Sequence, residues 1–136
     1  TIGQILSNNI PGAEVIGVDI IPQAIEDAKK NAERNSVRDL KFIAEDVGKF
    51  LQEYPQYKNN ISTVVLDPPR SGIAPKTLKK VVQLNAARIV YVSCNPATQA
   101  RDTKYLFNEG YQLKKLSFVD QFPHTSHIES IALFEK

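Results

Sequence analysis

The sequence predicts a doubly wound, mostly parallel α/β sheet that ends in an antiparallel β-hairpin. Three observations carry this expectation. Apolar strand-like runs alternate with helix-period segments over residues 14–110, the order that builds parallel βα units. Three of those helices open on a proline, at Pro22, Pro75 and Pro96, where the missing N–H is not needed. The last two β runs, residues 111–122 and 127–135, have no helix between them, which makes them an antiparallel pair at the sheet edge.

The elements follow in order. "TIGQILSNN" reads as the middle of a helix, so a preceding strand and its glycine turn are expected to lie before Thr1. The absence of methionine points the same way. "EVIGVDI" (14–20) is the first strand. Pro22 opens a helix to about residue 35, with Ala24, Ile25, Ala28 and Ala32 on one face. Its acids come early and its bases late, as the helix dipole prefers. "DLKFIAED" (39–46) is the second strand, followed by a short helix over about 47–53 and a polar loop, "YPQYKNN".

"ISTVVLDPPR" (61–70) is nearly continuous in apolar residues and is expected to be a central strand. Pro75 starts a helix with Leu78, Val81 and Val82 inward, and "RIVYVSC" (88–94) is the fourth strand. Asn95 and Pro96 form an N-cap and first-turn pair, and Gly110 closes that helix. "YQLKKLSFVDQF" and "HIESIALFE", joined by "PHTS", complete the fold.

Composition bounds the function loosely. The length suits one domain, residues 1–136, and 42% apolar residues are enough to close one core. A net charge of +2 permits a nucleic-acid partner without arguing for one. One cysteine excludes an internal disulfide and fits a reducing compartment. With neither a membrane-length apolar run nor a charged-then-apolar leader, the chain reads as cytoplasmic, with no membrane partner.

Ligands of open α/β sheets bind beyond the carboxyl ends of the strands. Asp19, Asp46, Asp67 and Cys94 all fall at that edge. A single strand-end aspartate is as often a cap or turn residue as a ligand, but four polar strand ends together are harder to assign to capping alone. Asp19 stands where an acid accepts hydrogen bonds from the ribose of an adenosine-containing cofactor. Asp46 is similarly placed one strand over.

In "DPPRSG", two prolines stiffen the rim that carries Asp67 and Arg70. A rigid turn is the plainer reading, yet it does not explain the acid and guanidinium that flank it. Cys94 lies one residue before the Asn95–Pro96 helix start, a position that favours the thiolate. A purely structural cysteine would sit inside "IVYV". Near the end of the chain, His127 and Glu129 share one face by strand alternation. Glu129 begins an apolar edge, "SIALF", which would desolvate it as a base requires; the plainer readings are a solvated strand residue for Glu129 and a loop residue for His124. Cys94, His124 and His127 match no common zinc spacing, so no metal is expected.

"DPPRSG", "YVSCNPATQARD" and "FPHTSHIESIALF", in that order, strongly resemble the S-adenosylmethionine-dependent RNA uracil-C5 methyltransferases. "VIGVDIIPQAIEDAKKNAERN" resembles the cofactor-binding helix of the same family. Amino-group methyltransferases typically carry an aromatic residue after the two prolines, where Arg70 stands here. RNA cytosine-C5 enzymes use a differently placed cysteine pair.

The resemblance implies a Rossmann-like methyltransferase fold whose first strand, with its glycine loop, and whose N-terminal RNA-binding parts are missing from this catalytic domain. It implies transfer of a methyl group from S-adenosyl-L-methionine to C5 of a uridine in structured rRNA or tRNA, through a covalent cysteine–C6 adduct. Cys94 matches the family's nucleophile, Glu129 its base, and Asp67 with Arg70 its uracil-side acid and partner. Asp19, Ile20, Asp46 and Asp67 make up the implied cofactor-binding set.

That chemistry needs these groups. C5 of uracil is a poor nucleophile, and a thiolate adding to C6 converts the ring into an enolate with its density at C5. A donor near the enolate oxygen stabilises the developing charge, a part open to Arg70 directly or through Asp67. A base must then remove the C5 proton, with Glu129 the candidate and His127 its competitor. The target base must leave its stack, which costs less in an RNA loop than in a duplex. Two rival readings stand beside this one. Cys94 and His127 could serve a cysteine hydrolase, although a G-x-C-x-G elbow is absent, and the chain could be a folded but inactive module.

Overall fold

The computed structural model describes every residue except 122 and 126. The chain separates into two compact units, Thr1–Glu53 and Tyr54–Lys136. In the first unit, helix α1 (Ile2–Asn9) leads to strand β1 (Val15–Asp19), helix α2 (Pro22–Arg34), strand β2 (Leu40–Ala44) and helix α3 (Val47–Glu53). Strands β1 and β2 pair in parallel from Val15↔Leu40 to Asp19↔Ala44, as a helical crossover requires. Proline occupies the first turn of α2, and that helix buries Ile25 and Ala32. Ala24, expected on the same face, is exposed, and Ala28 is half-buried.

The second unit runs through a 3₁₀ turn (Pro55–Tyr57), strand β3 (Thr63–Leu66), helix α4 (Pro75–Gln83), strand β4 (Arg88–Ser93), helix α5 (Pro96–Asn108), and strands β5 (Gln112–Val119) and β6 (Glu129–Glu135). The four strands lie in the order β3-β4-β6-β5. β3 and β4 are parallel, whereas β6 is antiparallel to both β4 and β5. The expected hairpin is therefore present, with β6 tucked between β4 and the edge strand β5. Its predicted first strand extended to residue 122, which lies outside the described residues.

The core of this unit is built by alternation. Ile89 and Tyr91 of β4 and Ala132 and Phe134 of β6 are almost fully buried, along with Leu106 of α5 and Leu78, Val81 and Val82 of α4. Each such large side chain contributes about 1.5–3 kcal/mol by leaving water. Tyr111 joins them, and its hydroxyl donates to the carbonyl of Ala86 at 2.7 Å.

One expectation is corrected. The run 61–70 forms a strand of only four residues, because Pro68 and Pro69 have no N–H to extend the ladder. β3 comes first in the order of the four strands of this unit, and its residues are half-buried. Among the described residues, no helix is long and apolar enough to cross a membrane.

Candidate active site

In the first unit, Asp19 is the last residue of β1 and is exposed. Its Oδ1 accepts the N–H of Ile21 at 2.8 Å. This bond fixes the carboxylate and leaves Oδ2 for a hydroxyl donor from a ligand. Ile20 is 65% exposed beside it, an apolar surface suited to the face of a planar ring. Asp46 accepts the N–H of Lys49 at 2.9 Å and so caps α3. An acid with a free oxygen next to an exposed isoleucine fits a nucleoside, and these residues are therefore compatible with the adenosine part of S-adenosyl-L-methionine.

In the second unit, the strand ends carry the other candidates. Asp67 follows β3 directly and is exposed, as is Arg70. Cys94 follows β4 and is a half-buried free thiol. The Ser93 hydroxyl accepts the N–H of Asn95 at 3.1 Å, closing a Ser turn around Cys94. Asn95 in turn accepts the N–H of Ala97 at 3.1 Å as the N-cap of α5. The cysteine thus sits at the corner between a strand and a helix start. This answers why it lies outside the apolar run: the corner presents a side chain that the strand would bury.

Glu129 is the first residue of β6 and is half-buried. The β4–β6 ladder runs antiparallel from Arg88↔Glu135 to Ser93↔Ser130. Cys94 directly follows the last paired residue of β4, and Glu129 directly precedes Ser130, that residue's partner on β6. The register therefore puts two residues far apart in sequence just past the same end of the β4–β6 ladder.

Arg70 Nη2 approaches His127 Nδ1 at 2.5 Å. A guanidinium has only donors, so the imidazole nitrogen accepts and its lone pair is engaged. His124 occupies a turn with φ of +75°. Among the described residues, no three His, Cys, Asp or Glu side chains gather closely enough to hold a metal.

The sequence reading did not single out the polar face of α5. Asn95 Nδ2 and Thr98 Oγ1 donate to the carbonyl of Arg70 at 3.0 and 3.2 Å. Arg101 donates to the carbonyls of Ser71 and Ile73 at 3.2 and 3.4 Å. Asp102 accepts the N–H of Ile73 at 2.9 Å and the Tyr91 hydroxyl at 2.8 Å. Gly72 makes the close approach possible. Its φ is +77°, and a Cβ there would lie 2.6 Å from Arg101 Nη2 and 2.9 Å from Asp102 Oδ2. A polar run, "NPATQARD", in the first turns of a helix that follows a strand is the signal that could have disclosed this clamp.

Comparison with known proteins places the chain in a family. Residues 6–136 match the family model described as tRNA (Uracil-5-)-methyltransferase. An uncharacterized RNA methyltransferase of Clostridium acetobutylicum is 42% identical over 136 residues, covering 100% of this chain and 29% of that protein. The 23S rRNA (uracil(1939)-C(5))-methyltransferase RlmD of Salmonella typhimurium is 44% identical over 124 residues, covering 91% of this chain and 28% of that protein. Among solved structures, the tRNA (uracil-54, C5)-methyltransferase of Pyrococcus abyssi in complex with S-adenosyl-L-homocysteine superposes with a TM-score of 0.80 at 35% identity. It covers 97% of this chain and 31% of its own. The chain thus spans under a third of the length of these relatives.

Proposed function

This chain belongs to the tRNA (uracil-5-)-methyltransferase family, and from that premise we propose that it supplies the methyl-transfer site of an enzyme that methylates C5 of a uridine in structured rRNA or tRNA. The observation that supports the reading is the β4–β6 register, which ends at Ser93↔Ser130 with Cys94 and Glu129 the next residues of their segments. A nucleophile and a proton acceptor just past the same ladder end fit a pyrimidine ring held between them.

The proposed roles follow from the chemistry. The Cys94 thiolate forms a bond to C6, and the displaced π electrons move toward C5 and the O4 oxygen. Arg70 and Asp67, held at the stiff proline rim, bind the uracil edge, and the guanidinium faces the oxygen where negative charge grows. Asp19, Ile20 and Asp46 hold the adenosine part of the cofactor, with Asp67 assigned to the cofactor side as well as to the uracil edge. When bound, S-adenosyl-L-methionine supplies an electrophilic methyl group. Glu129 then takes the C5 proton, the C5–C6 double bond reforms, and the C6–S bond breaks to return Cys94 as a thiolate.

One observation weighs on both alternatives. The Nδ1 lone pair of His127 is engaged by Arg70, which favours Glu129 as the proton acceptor. The same bond counts against a Cys94–His127 hydrolase. The test is covalent trapping by the full-length protein of an RNA in which uridine is replaced by 5-fluorouridine. Fluorine at C5 cannot be taken off as a proton, so the thiolate adduct persists. Trapping that Cys94→Ala abolishes is the expected result, and an undiminished adduct in that variant overturns the assignment.

A further inference from the structure

A buried hydrogen-bond relay joins the ends of β4 and β6 beside Cys94 and Glu129 and contains neither residue. Gln99, on the first turns of α5, is 5% exposed and Ser130 is 0% exposed. Gln99 Nε2 donates to the carbonyl of Tyr91 on β4 at 2.9 Å. Its Oε1 accepts the hydroxyl of Ser130 on β6 at 2.8 Å. The same hydroxyl lies 3.3 Å from the carbonyl of Ser93. One amide side chain therefore ties together the helix that follows Cys94, the strand that precedes it and the strand that begins with Glu129.

From this we infer that Gln99 and Ser130 are positioning residues that set where the Glu129 carboxylate stands relative to the Cys94 adduct. The inference rests on the proposed role of Glu129 and adds to it the means by which that carboxylate is aimed. Three features point to aiming rather than to packing alone. Both ends of the Gln99 amide are used, which removes the freedom of that side chain to flip. Gln99 bonds the carbonyl of Tyr91 and the hydroxyl of Ser130, and Ser130, next to Glu129, reaches the carbonyl of Ser93, next to Cys94. The β4 and β6 ladder ends at this point, so beyond Ser93↔Ser130 the backbone pairing no longer fixes the separation. A side-chain tie is most needed where the main-chain ladder stops.

Displacing a reacting group by about 1 Å can cost roughly a hundredfold in rate. Loss of the tie should act chiefly on the step that uses Glu129, because the Ser93–Asn95 turn keeps hydrogen bonds of its own around Cys94. The experiment uses the full-length protein, RNA from cells lacking it, and S-adenosyl-L-methionine carrying a radiolabelled methyl group. Single-turnover mixing records two quantities: label transferred to RNA, and label in a denaturation-resistant protein–RNA adduct. Gln99→Ala and Ser130→Ala should transfer the methyl group at the unaltered rate yet release the RNA roughly tenfold to a hundredfold more slowly, so that methylated adduct accumulates. Ser130→Ala removes one oxygen and serves where Gln99→Ala folds poorly.

Parallel loss of transfer and release, or no change in either, overturns the inference. Glu129→Gln is run alongside. If it accumulates adduct and the two relay variants do not, the positioning inference alone falls. If Glu129→Gln itself turns over normally, the assignment of the proton acceptor falls, and the relay has no carboxylate to aim.

Discussion

The Tyr91 hydroxyl donates to Asp102 Oδ2 at 2.8 Å, with both residues buried. Burial first, and then the hydrogen bond to Asp102, hold this phenol above the usual range for tyrosine, so it remains a donor well into alkaline solution. Asp102 also receives the N–H of Ile73. The pair thus joins the middle of β4 to the loop that carries Arg70.

Tyr91→Phe should lower the stability of the full-length protein by about 1–3 kcal/mol, since a buried carboxylate oxygen loses a donor. The pH dependence has a definite sign. A group whose folded pKa is raised contributes stability below its ordinary pKa of about 10, and this is lost as pH climbs from there toward the raised value. Urea denaturation from neutral to strongly alkaline pH should therefore show a decline above about pH 10 that is shallower in the phenylalanine variant.

Gly72→Ala should destabilise by about 1–3 kcal/mol, because an L side chain is strained at φ +77°. The new methyl group would press on the guanidinium of Arg101 and the carboxylate of Asp102. Thermal unfolding checks the loss of stability. Turnover should fall as well, since the displaced clamp holds the carbonyl of Arg70.

Asp19→Ala should weaken binding of S-adenosyl-L-homocysteine roughly tenfold to a hundredfold, the worth of a hydrogen bond to a charged group. Stability without ligand should change by only about 0.5 kcal/mol, because the residue is exposed. Calorimetric titration reads the first quantity and a melting curve the second. An unaltered affinity would remove Asp19 from the cofactor side.

Glu129→Gln should leave adduct formation intact and reduce steady-state turnover roughly 10²–10⁴-fold, the usual contribution of a positioned base. Gel mobility of the protein after denaturation distinguishes a stalled adduct from a protein that never reacted.

Much of this was legible in the residues, and the remainder was hidden for identifiable reasons. Among the described residues the sequence pattern located each α-helix and strand, though the 3₁₀ turn at Pro55–Tyr57 fell in what read as a polar loop, and proline at a first turn marked where α2, α4 and α5 begin. Cys94 stood out because a polar corner follows an apolar run. The strand over 61–70 came out too long because apolar character was followed into prolines that cannot pair. Gln99, Arg101, Asp102 and Ser130 escaped because their work depends on partners distant in the chain, and nothing in a polar helical residue by itself tells whether it faces water or another backbone. That Glu129 must approach Cys94 was expected only as a requirement of the chemistry, and the structure puts the two just past the same end of the β4–β6 ladder. Register depends on which strands pair, and the insertion of β6 between β4 and β5 decides it.

The β4–β6 ladder has a consequence for how such a chain can change over time. A slip of a single rung in β6 would turn Glu129 to the opposite side of the sheet. Insertions and deletions should therefore be nearly forbidden between Glu129 and Glu135, where every residue is held by rungs to β5 or β4.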